Sequence, residues 1–390
     1  MGPIASRLPL LAATLLLAGC SDRAAAPRAA AATPVIVTGN GDTIPMRETL
    51  RVGVLEGDPN YQFNRISWML ARQDGGVLLH DMVSNTKGGL IRQYDAQGRF
   101  VRVIGGLGDG PGEYDDFPWG TVLADGSLLI VSQGQARITR FDSAGTLTGT
   151  WPGPTSIVDV APATDSGWFV ARVSAHYPQE EKSRAITYFR YDRLGQLVDT
   201  LPAPAAYRDG PSAGAFGPTA MTIVLPDGRF VSSRTDSIAF QVDGPTGSAA
   251  YARPSDRARF NEEEKQAIVA ELATLNRMSG MKPQPMELPD LKQAFWYMVS
   301  DQDGRILFLR RTVGIRIADT TNLRPEESRW RGTLEIDVFD SAATYRGRLV
   351  TPTDVVNRVY AFGKGHLWLM HEGESGEQYL VRWEPARAVW

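Results

Sequence analysis

The segment Asp74-Gly75-Gly76-Val77-Leu78-Leu79 (DGGVLL) joins a glycine-containing turn to a short apolar run. Glycine accepts the positive φ angles that hairpin corners need, and such an apolar run is typical of a strand. The pattern recurs at Asp125 (DGSLLI), Asp165 (DSGWFV), Asp227 (DGRFV), Asp303 (DGRILF) and, more weakly, Lys364 (KGHLWL). The chain therefore contains six copies of a turn followed by a strand.

A second repeated element follows these strands: an alternating strand that ends in an aromatic residue and aspartate, then a turn and another strand. Its copies are Ile91–Phe100 (IRQYDAQGRF), Ile138–Leu147 (ITRFDSAGTL), Tyr188–Leu197 (YFRYDRLGQL) and a degraded form at Val338–Ala343. Each unit thus has four short strands, which excludes an α/β fold. We predict an all-β, six-bladed β-propeller of four-stranded antiparallel blades.

The two ends of the chain predict how the ring of blades closes. After Trp383 little sequence remains for an outer strand of the last blade, whereas Thr49–Val54 is a spare strand near the N-terminus. Because a closed ring protects its sheet edges, we expect the N-terminal strand to complete the last blade. The segments Val52–Phe63 and Ile104–Phe117 (IGGLGDGPGEYDDF) resemble each other, and each is predicted to connect an outer strand to the next blade.

One segment breaks the strand pattern. Asn261–Asn276 begins with a variant of the capping box and carries an apolar stripe at Ile268, Leu272 and Leu275, which predicts a helix. We predict a helical insertion over about 255–292. It either packs on the flank of the propeller or covers one face as a lid.

The first 20 residues, MGPIASRLPLLAATLLLAGC, have one positive charge, an apolar stretch and small residues before the only cysteine. The apolar stretch is too short to span a bilayer and is typical of a secretory signal. Residues 17–20 (LAGC) resemble the bacterial lipobox, in which cleavage leaves a lipidated N-terminal cysteine; the alternative is an ordinary signal peptide. We predict a lipoprotein signal over 1–19, a lipid on Cys20, a flexible tether over 20–46 and the propeller over 47–390.

Composition restricts the partners of the chain. Its 41 Lys and Arg residues and 44 Asp and Glu residues give a net charge of −3, which provides no basic field for nucleic acid. We therefore predict no nucleic-acid partner and membrane contact through the lipid at Cys20 only. By resemblance to the bacterial sorting rule, Ser21 favours the outer membrane, where the protein would face the periplasm or the cell surface.

The repeats and the signal together resemble the bacterial six-bladed β-propeller lipoproteins, relatives of the NHL-repeat propellers. The resemblance covers about 50–383 and rests on Gly105–Phe117, on the predicted helix, and on Lys292–Phe295 (KQAF) with Asp301–Leu307 (DQDGRIL). This chain departs from the family at Gln293, where members often have proline, and lacks their tryptophan in the following strand. Most members have no established activity, so the resemblance implies a fold and a place in the cell envelope.

The glycine-rich stretch Gly105–Phe117 does not fit a nucleotide loop, because it lacks Gly-Lys-Ser/Thr and leads into a strand where those loops need a helix. Its carboxylates belong to Asp109, Glu113, Asp115 and Asp116. They either hold Ca²⁺ through hard oxygen ligands or belong to a solvated connection between blades. No other cofactor is suggested by the sequence.

Two short stretches match catalytic motifs without the structure that those motifs require. Gly210–Gly214 (GPSAG) and Ser84–Lys87 (SNTK) lie in loops rich in glycine or proline, where the motifs need a following helix. No two of the four histidines have zinc-ligand spacing. We therefore predict no catalytic residues and no metal ligands.

Counting six positions back from each turn residue locates the entrance of each inner strand. The residues found there are Trp68, Trp119, Asp159, Met221, Tyr297 and Arg358. One carboxylate is too few for the metal cage of gluconolactonase-type propellers, whereas aromatic faces with a few charged groups suit ligand binding. Alternatively the aromatic residues pack between blades, since a shift of one residue reverses the face of a strand.

Further polar candidates follow the second strands of their blades, where loops reach a face of the propeller. These are Arg234, Arg310, Arg311 and His371. We predict a lipid-anchored, non-enzymatic binding propeller of the cell envelope, whose ligand is a glycan, a peptide or another envelope protein. Two alternatives stay open: a metal-assisted lactonase or lyase in the channel, and a structural subunit of an envelope assembly, which a large apolar face would indicate.

Overall fold

The computed structural model describes residues 33–38, 42–82, 88–153, 157–163, 168–174, 186–192, 194–202, 216–278, 280, 288–316, 330–352, 360–373 and 376–389. The signal peptide, Cys20, Ser84–Lys87, Gly210–Gly214 and Arg358 lie outside these ranges. Strands dominate the described residues, and one α-helix, α1 (Glu262–Met278), lies among them. In these ranges no helix is long and apolar enough to cross a membrane.

The first two strands, β1 (Val35–Ile36) and β2 (Thr43–Val52), join sheets formed by much later residues. Blade 1 then consists of β3 (Ile66–Ala71), β4 (Val77–Met82), β5 (Gly89–Tyr94) and β6 (Phe100–Ile104). A single 3-10 turn, Pro59–Tyr61, precedes it.

Blades 2, 3 and 4 repeat this arrangement after a connector that contains β7 (Gly106–Leu107) and β8 (Glu113–Tyr114). Blade 2 is β9 (Trp119–Val122), β10 (Leu128–Ser132), β11 (Arg137–Phe141) and β12 (Leu147–Pro152). Blade 3 is β13 (Ile157–Ala163), β14 (Trp168–Ser174), β15 (Ile186–Tyr191) and β16 (Leu197–Pro202). Blade 4 is β17 (Ala220–Val224), β18 (Phe230–Arg234), β19 (Ile238–Gly244) and β20 (Gly247–Arg253).

Helix α1 separates blade 4 from blade 5. Blade 5 is β21 (Phe295–Ser300), β22 (Ile306–Arg310), β25 (Glu335–Phe339) and β26 (Tyr345–Val350), with the small pair β23 (Ile315–Arg316) and β24 (Trp330–Arg331) between its second and third strands. Blade 6 is β27 (Tyr360–Gly363), β28 (His366–Glu372) and β29 (Gln378–Pro385), completed by β2.

The first strands of the six blades form the centre of the molecule. They are β3, β9, β13, β17, β21 and β27, which together surround one cavity, and β27 contacts β3 so that the ring closes. Apolar layers between blades hold the ring together; between blades 1 and 2, for example, Leu78 and Ile91 pack with Tyr114 and Ile130. The chain is thus a six-bladed β-propeller with one helical insertion, as the turn repeats predict.

The N-terminal strand closes the ring as predicted, and the N-terminal segment also pairs with the outer strands of two other blades. Leu50 of β2 pairs with Arg382 of β29, which completes blade 6, while Thr43–Pro45 pair in parallel with β26 of blade 5. Strand β1 adds in parallel to β20 of blade 4. The predicted tether of 20–46 is therefore too long at its C-terminal end, because residues 35–36 and 43–46 belong to the sheets.

Burial explains why these residues join the propeller. Ile44 and Met46 are 2% and 3% exposed and pack in one apolar cluster with Leu349 and Trp383. Burying each such side chain stabilises the fold by roughly 1.5–3 kcal/mol. The N-terminal segment thus connects three blades through their outer strands.

The glycine-rich connector is clamped onto blade 1 before it enters blade 2. Gly105 and Gly112 adopt φ angles of 63° and 79°, which glycine accepts without strain. The fully buried Tyr114 hydroxyl accepts a hydrogen bond from the Ile91 N–H and donates one to the Ile104 carbonyl, each 3.0 Å long. Burial raises the pKa of Tyr114 to about 12, so its hydroxyl keeps its proton.

Each of the four carboxylates of this stretch accepts a hydrogen bond. The donors are Gln135 Nε2 for Asp109 (2.9 Å), Gly110 N for Glu113 (2.7 Å), Gly134 N for Asp115 (2.7 Å) and Gly88 N for Asp116 (3.0 Å). Asp109 and Asp115 thus bind the turn between β10 and β11, while Glu113 and Asp116 bind other backbone N–H groups, which fits the interpretation of a connection between blades.

The N-terminal end of α1 is fixed beside blade 5. The Asn261 side chain accepts a hydrogen bond from the Glu263 N–H (2.9 Å), which caps the helix. Glu264, 7% exposed, accepts a 2.6 Å hydrogen bond from Lys292 Nζ, which also donates to the Thr312 carbonyl at 3.0 Å. Burial lowers the pKa of Lys292 and Glu264 opposes that shift. The predicted helix is confirmed, and its first turn is attached to the strand that enters blade 5.

Candidate functional site

The central cavity has a volume of about 300 Å³ and is lined by residues of all six inner strands. All inner strands run in the same direction around the ring, so their first residues lie at one end of the channel, here called the mouth. The hairpins that follow them lie at the other end. Residues at the same distance from their hairpins therefore lie at the same depth in the channel.

The fourth residue pair counted from each hairpin defines one such level near the mouth. In blades 1, 2, 4 and 5 the inner-strand residues at this level are Trp68, Trp119, Met221 and Tyr297. In blades 3 and 6, whose hairpins are shorter, the fourth pair holds Val160 and Tyr360, which pack towards the preceding blade. Four aromatic residues, on the consecutive blades 5, 6, 1 and 2, line the cavity. We call Trp68, Trp119, Tyr297 and Tyr360 the aromatic arc.

Trp68 is held in place by two contacts on different sides of its indole ring system. Its Nε1 donates a 2.7 Å hydrogen bond to the Pro118 carbonyl, and its ring stacks on His80 with centroids 5.6 Å apart and an angle of 19°. Gly120 makes room for it, because a Cβ atom at position 120 would lie 3.3 Å from Cη2 of Trp68. The ring of Trp68 thus extends from blade 1 over the inner strand of blade 2.

The histidine beneath Trp68 is buried and neutral. His80 is 1% exposed, and its Nδ1 lies 2.6 Å from the hydroxyl of Ser67, which stands in a bulge of β3. Burial lowers the pKa of His80 to about 4, and the Gly89 backbone offsets part of that effect. At neutral pH His80, on which Trp68 stacks, therefore carries no charge.

The other half of the aromatic arc is a cluster of rings on blades 5 and 6. Tyr297 and Tyr360 have ring centroids 6.2 Å apart, and Trp296 lies 5.9 Å from each. The guanidinium of Arg311 lies 6.0 Å from the ring centroid of Trp296. Burial, with a smaller contribution from Tyr297, raises the pKa of Tyr360 well above its usual value. This cluster is neutral at its centre and has a cation on its outer side.

Two members of the aromatic arc are accessible to solvent. Trp119 is 40% exposed and Tyr297 is 38% exposed. Below them the walls are aliphatic, with Leu70, Val122 and Met298 among the lining residues. Large apolar side chains left exposed around a concave site are characteristic of ligand-binding pockets.

The hairpin end of the cavity is polar. Gln302 Nε2 donates a 2.7 Å hydrogen bond to the Ala71 carbonyl, which crosses from blade 5 to blade 1. Asp301, 4% exposed, accepts hydrogen bonds from Arg305 Nε at 2.5 Å and from the Asp303 N–H at 3.0 Å. Burial raises the pKa of Asp301, and Arg305 opposes that effect. The floor of the channel thus contains an amide and a carboxylate that already has its counter-ion.

The structure brings together three of the predicted entrance residues, Trp68, Trp119 and Tyr297, around one cavity. Asp159 lies in β13 opposite Arg172, and its side chain is outside the described residues. Arg358 is also outside them. Tyr360 of blade 6 lines the cavity as well, although the register differs there: the hairpin has only Lys364 and Gly365 between paired strands, whereas residues 72–76 separate those of blade 1.

The predicted second-strand residues lie at the mouth end but outside the lining of the cavity. Arg234 ends β18 with its Nε 3.9 Å from Asp236, Arg311 follows β22 and is exposed, and His371 pairs with Tyr379 in β28. Arg310 is not exposed at a face: it is 6% exposed, its Nη1 donates a 2.8 Å hydrogen bond to the buried Asp337, and its Nη2 donates a 2.6 Å hydrogen bond to the Asp256 carbonyl.

Acidic and metal-binding side chains form no cluster in the described parts of the chain: no group of three or more His, Cys, Asp or Glu residues there is placed to hold a metal ion. The residue that sequence reasoning missed is Tyr360. The signal that identifies it is the short Lys-Gly turn, which moves the count back from the hairpin by two positions.

Comparison with known proteins supports the fold. No family model matches the chain, and no curated protein matches it at a significant level. A protein described as exported from Bacteroides fragilis is similar in structure, with 10% identity, a TM-score of 0.51, and coverage of 90% of this chain and 100% of that one. A member of the DUF4221 family from Bacteroides vulgatus has 12% identity, a TM-score of 0.55 and the same coverage. At this identity the likeness establishes the fold alone.

Proposed function

We propose that this protein is an exported, lipid-anchored propeller that binds a ligand at the mouth of its central channel without transforming it. The observation that carries the proposal is the aromatic arc. Four aromatic side chains line a single concave site, and two of them keep more than a third of their surface in water. Because about 40% of each of these two side chains is left to cover, a ligand that covers both gains roughly 1–2.5 kcal/mol, which is part of the about 4 kcal/mol that millimolar binding requires.

The signal sequence supports the cellular part of the proposal. Residues 17–20 resemble a lipobox, and the described chain begins to pair with the propeller at Val35, so that about 14 residues are left between Cys20 and the first strand. The fold also resembles that of a protein described as exported. The lipid at Cys20 and Ser21 then direct the protein to the outer membrane.

Ligand binding is tested on the full chain with Cys20→Ser, which removes the lipid and keeps every residue of the channel. Thermal-shift screening of glycans and peptides is compared between this protein and the same protein with Trp119→Ala. We expect a ligand that raises the Tm of the first protein and not of the second. The proposal is contradicted if no ligand raises the Tm in a way that depends on Trp119. It is also contradicted if the protein contains a stoichiometric divalent metal ion and turns over a lactone.

The anchor is tested in cells by membrane fractionation. Cys20→Ser should move the protein from the membrane fraction to the soluble fraction, because Cys20 carries the lipid in this proposal. Ser21→Asp is the matched control, which should keep the protein in a membrane but shift it to the inner one. Unchanged fractionation of Cys20→Ser contradicts the lipid anchor without touching the binding site.

A further inference from the structure

We infer that the ligand of the channel is an uncharged saccharide, and that a terminal pyranose ring of it enters the aromatic arc. This inference rests on the proposed binding function and specifies its ligand class. It follows from three properties of the cavity: the aromatic faces at its mouth, the state of the charges that line it, and its small volume with uncharged hydrogen-bonding groups.

The aromatic arc favours a flat ligand with polarised C–H groups. The faces of tryptophan and tyrosine carry partial negative charge, so they attract the C–H groups of a sugar ring while its hydroxyls point sideways. Trp119 and Tyr297 stand on opposite sides of the arc, on blades 2 and 5, and both are accessible. A sugar ring that enters the cavity can therefore cover either of two accessible aromatic side chains.

The charges of the channel disfavour an ionised ligand. Asp301 is the one charged side chain among the described lining residues, and Arg305 Nε lies 2.5 Å from its carboxylate. Arg311, the cation of the mouth, lies against Trp296 on the outer side of the aromatic cluster. Among the described lining residues an ionised group would meet only Asp301, which is already paired with Arg305, so it would lose its hydration there without gaining an opposite charge.

The lining offers uncharged hydrogen-bonding groups in place of charges. Thr121 and Ser300 bring hydroxyls to the cavity, and Gln302 brings an amide at its floor. The amide uses one N–H in the bond to the Ala71 carbonyl, and it carries a second N–H and a carbonyl oxygen besides. Hydroxyls and amides are suited to the hydroxyl groups of a neutral sugar.

The size of the cavity restricts how much of a glycan enters. Its volume of about 300 Å³ is at the low end of the roughly 300–1,000 Å³ typical of small-molecule sites. The Gln302 hydrogen bond to Ala71 ties blade 5 to blade 1 at the hairpin end of the channel. The small volume suits a terminal residue better than a longer stretch of glycan. The rest of the glycan leaves over blades 3 and 4, which contribute no aromatic side chain to the described lining.

The test uses the full chain with Cys20→Ser on a printed array of neutral and acidic glycans, followed by titration of the best neutral trisaccharide. We expect neutral glycans with accessible termini to bind, and an acidic glycan of the same length to bind about tenfold more weakly or not at all. Trp119→Ala should weaken binding of the neutral trisaccharide about tenfold or more.

The matched control is Phe117→Ala. Phe117 is an aromatic residue two positions away that is 56% exposed and is not among the lining residues, so this variant should bind within about twofold of its parent. If no neutral glycan binds, while the hydrophobic anion 8-anilinonaphthalene-1-sulfonate binds in a Trp119-dependent way, the saccharide inference is wrong and the binding function stands. If neither probe depends on Trp119, the binding function itself is wrong.

Discussion

The buried histidine beneath Trp68 makes the stability of the propeller depend on pH. Burial lowers the pKa of His80 to about 4, whereas an exposed histidine in the unfolded chain has a pKa near 6.5. As the pH falls, the unfolded chain therefore binds the proton first. The stabilising contribution of neutral His80 is complete above about pH 7 and is lost progressively as the pH falls from about 6.5 to 4.

The size of this effect follows from the two pKa values. At pH 5 the difference in proton binding costs the folded state about 2 kcal/mol, and at pH 4 about 3 kcal/mol. His80→Asn removes the titrating group, and an asparagine amide occupies a position like that of Nδ1 beside the Ser67 hydroxyl. The variant should therefore be less sensitive to acid than the natural chain by these amounts.

Urea unfolding at pH 7, 5 and 4, followed by tryptophan fluorescence, measures the free energy of unfolding of both proteins. His366 is also buried with a lowered pKa, and it contributes in the same direction to both proteins. The difference between them thus isolates His80. Equal losses of stability in the two proteins between pH 7 and pH 4 would show that His80 is not held neutral and would refute the reasoning.

Three further substitutions test the packing, each by its free energy of unfolding in urea. Tyr114→Phe leaves the Ile91 N–H and Ile104 carbonyl without a buried partner and should cost about 1–3 kcal/mol; no loss would mean that water replaces the hydroxyl. Lys292→Met leaves Glu264 unpaired and should lower the free energy of unfolding by about 3–5 kcal/mol. The double variant Lys292→Met with Glu264→Met should recover most of that loss. Trp368→Ala, at a fully buried position, should cost about 3–5 kcal/mol; a loss below 1 kcal/mol would contradict the packing.

The blade count was predictable because each blade repeats a local signal. A turn aspartate accepts a hydrogen bond from the backbone N–H two positions later, as Asp74 does from Gly76 and Asp125 does from Ser127, so the sequence marks these turns directly. The positions of Trp68, Trp119 and Tyr297 followed from counting back from such turns along the inner strands. Local chemistry therefore located the blades and three of the four residues of the aromatic arc.

The parts that the sequence did not reveal depend on contacts between distant segments. Val35 and Ile36 pair in parallel with β20, and a strand of two residues has no periodicity to detect. Tyr360 was missed because a two-residue turn replaces the longer turn of the other blades, which changes the register without changing the composition. Strand pairing and turn length depend on contacts within the folded ring, so they give little signal in a single sequence.

The pairing of β2 with β29 also determines when the protein can finish folding. Thr49 and Arg382 are in contact across 333 positions of chain, and contacts at such separation form slowly because a long loop must close first. During synthesis residues 46–52 of β2 have to remain unpaired until residues 378–385 emerge, and until then this part of the strand stays open to other strands. Translocation of an unfolded chain would carry this delay across the membrane, so the partly closed ring is the species in which we expect aggregation to compete with folding.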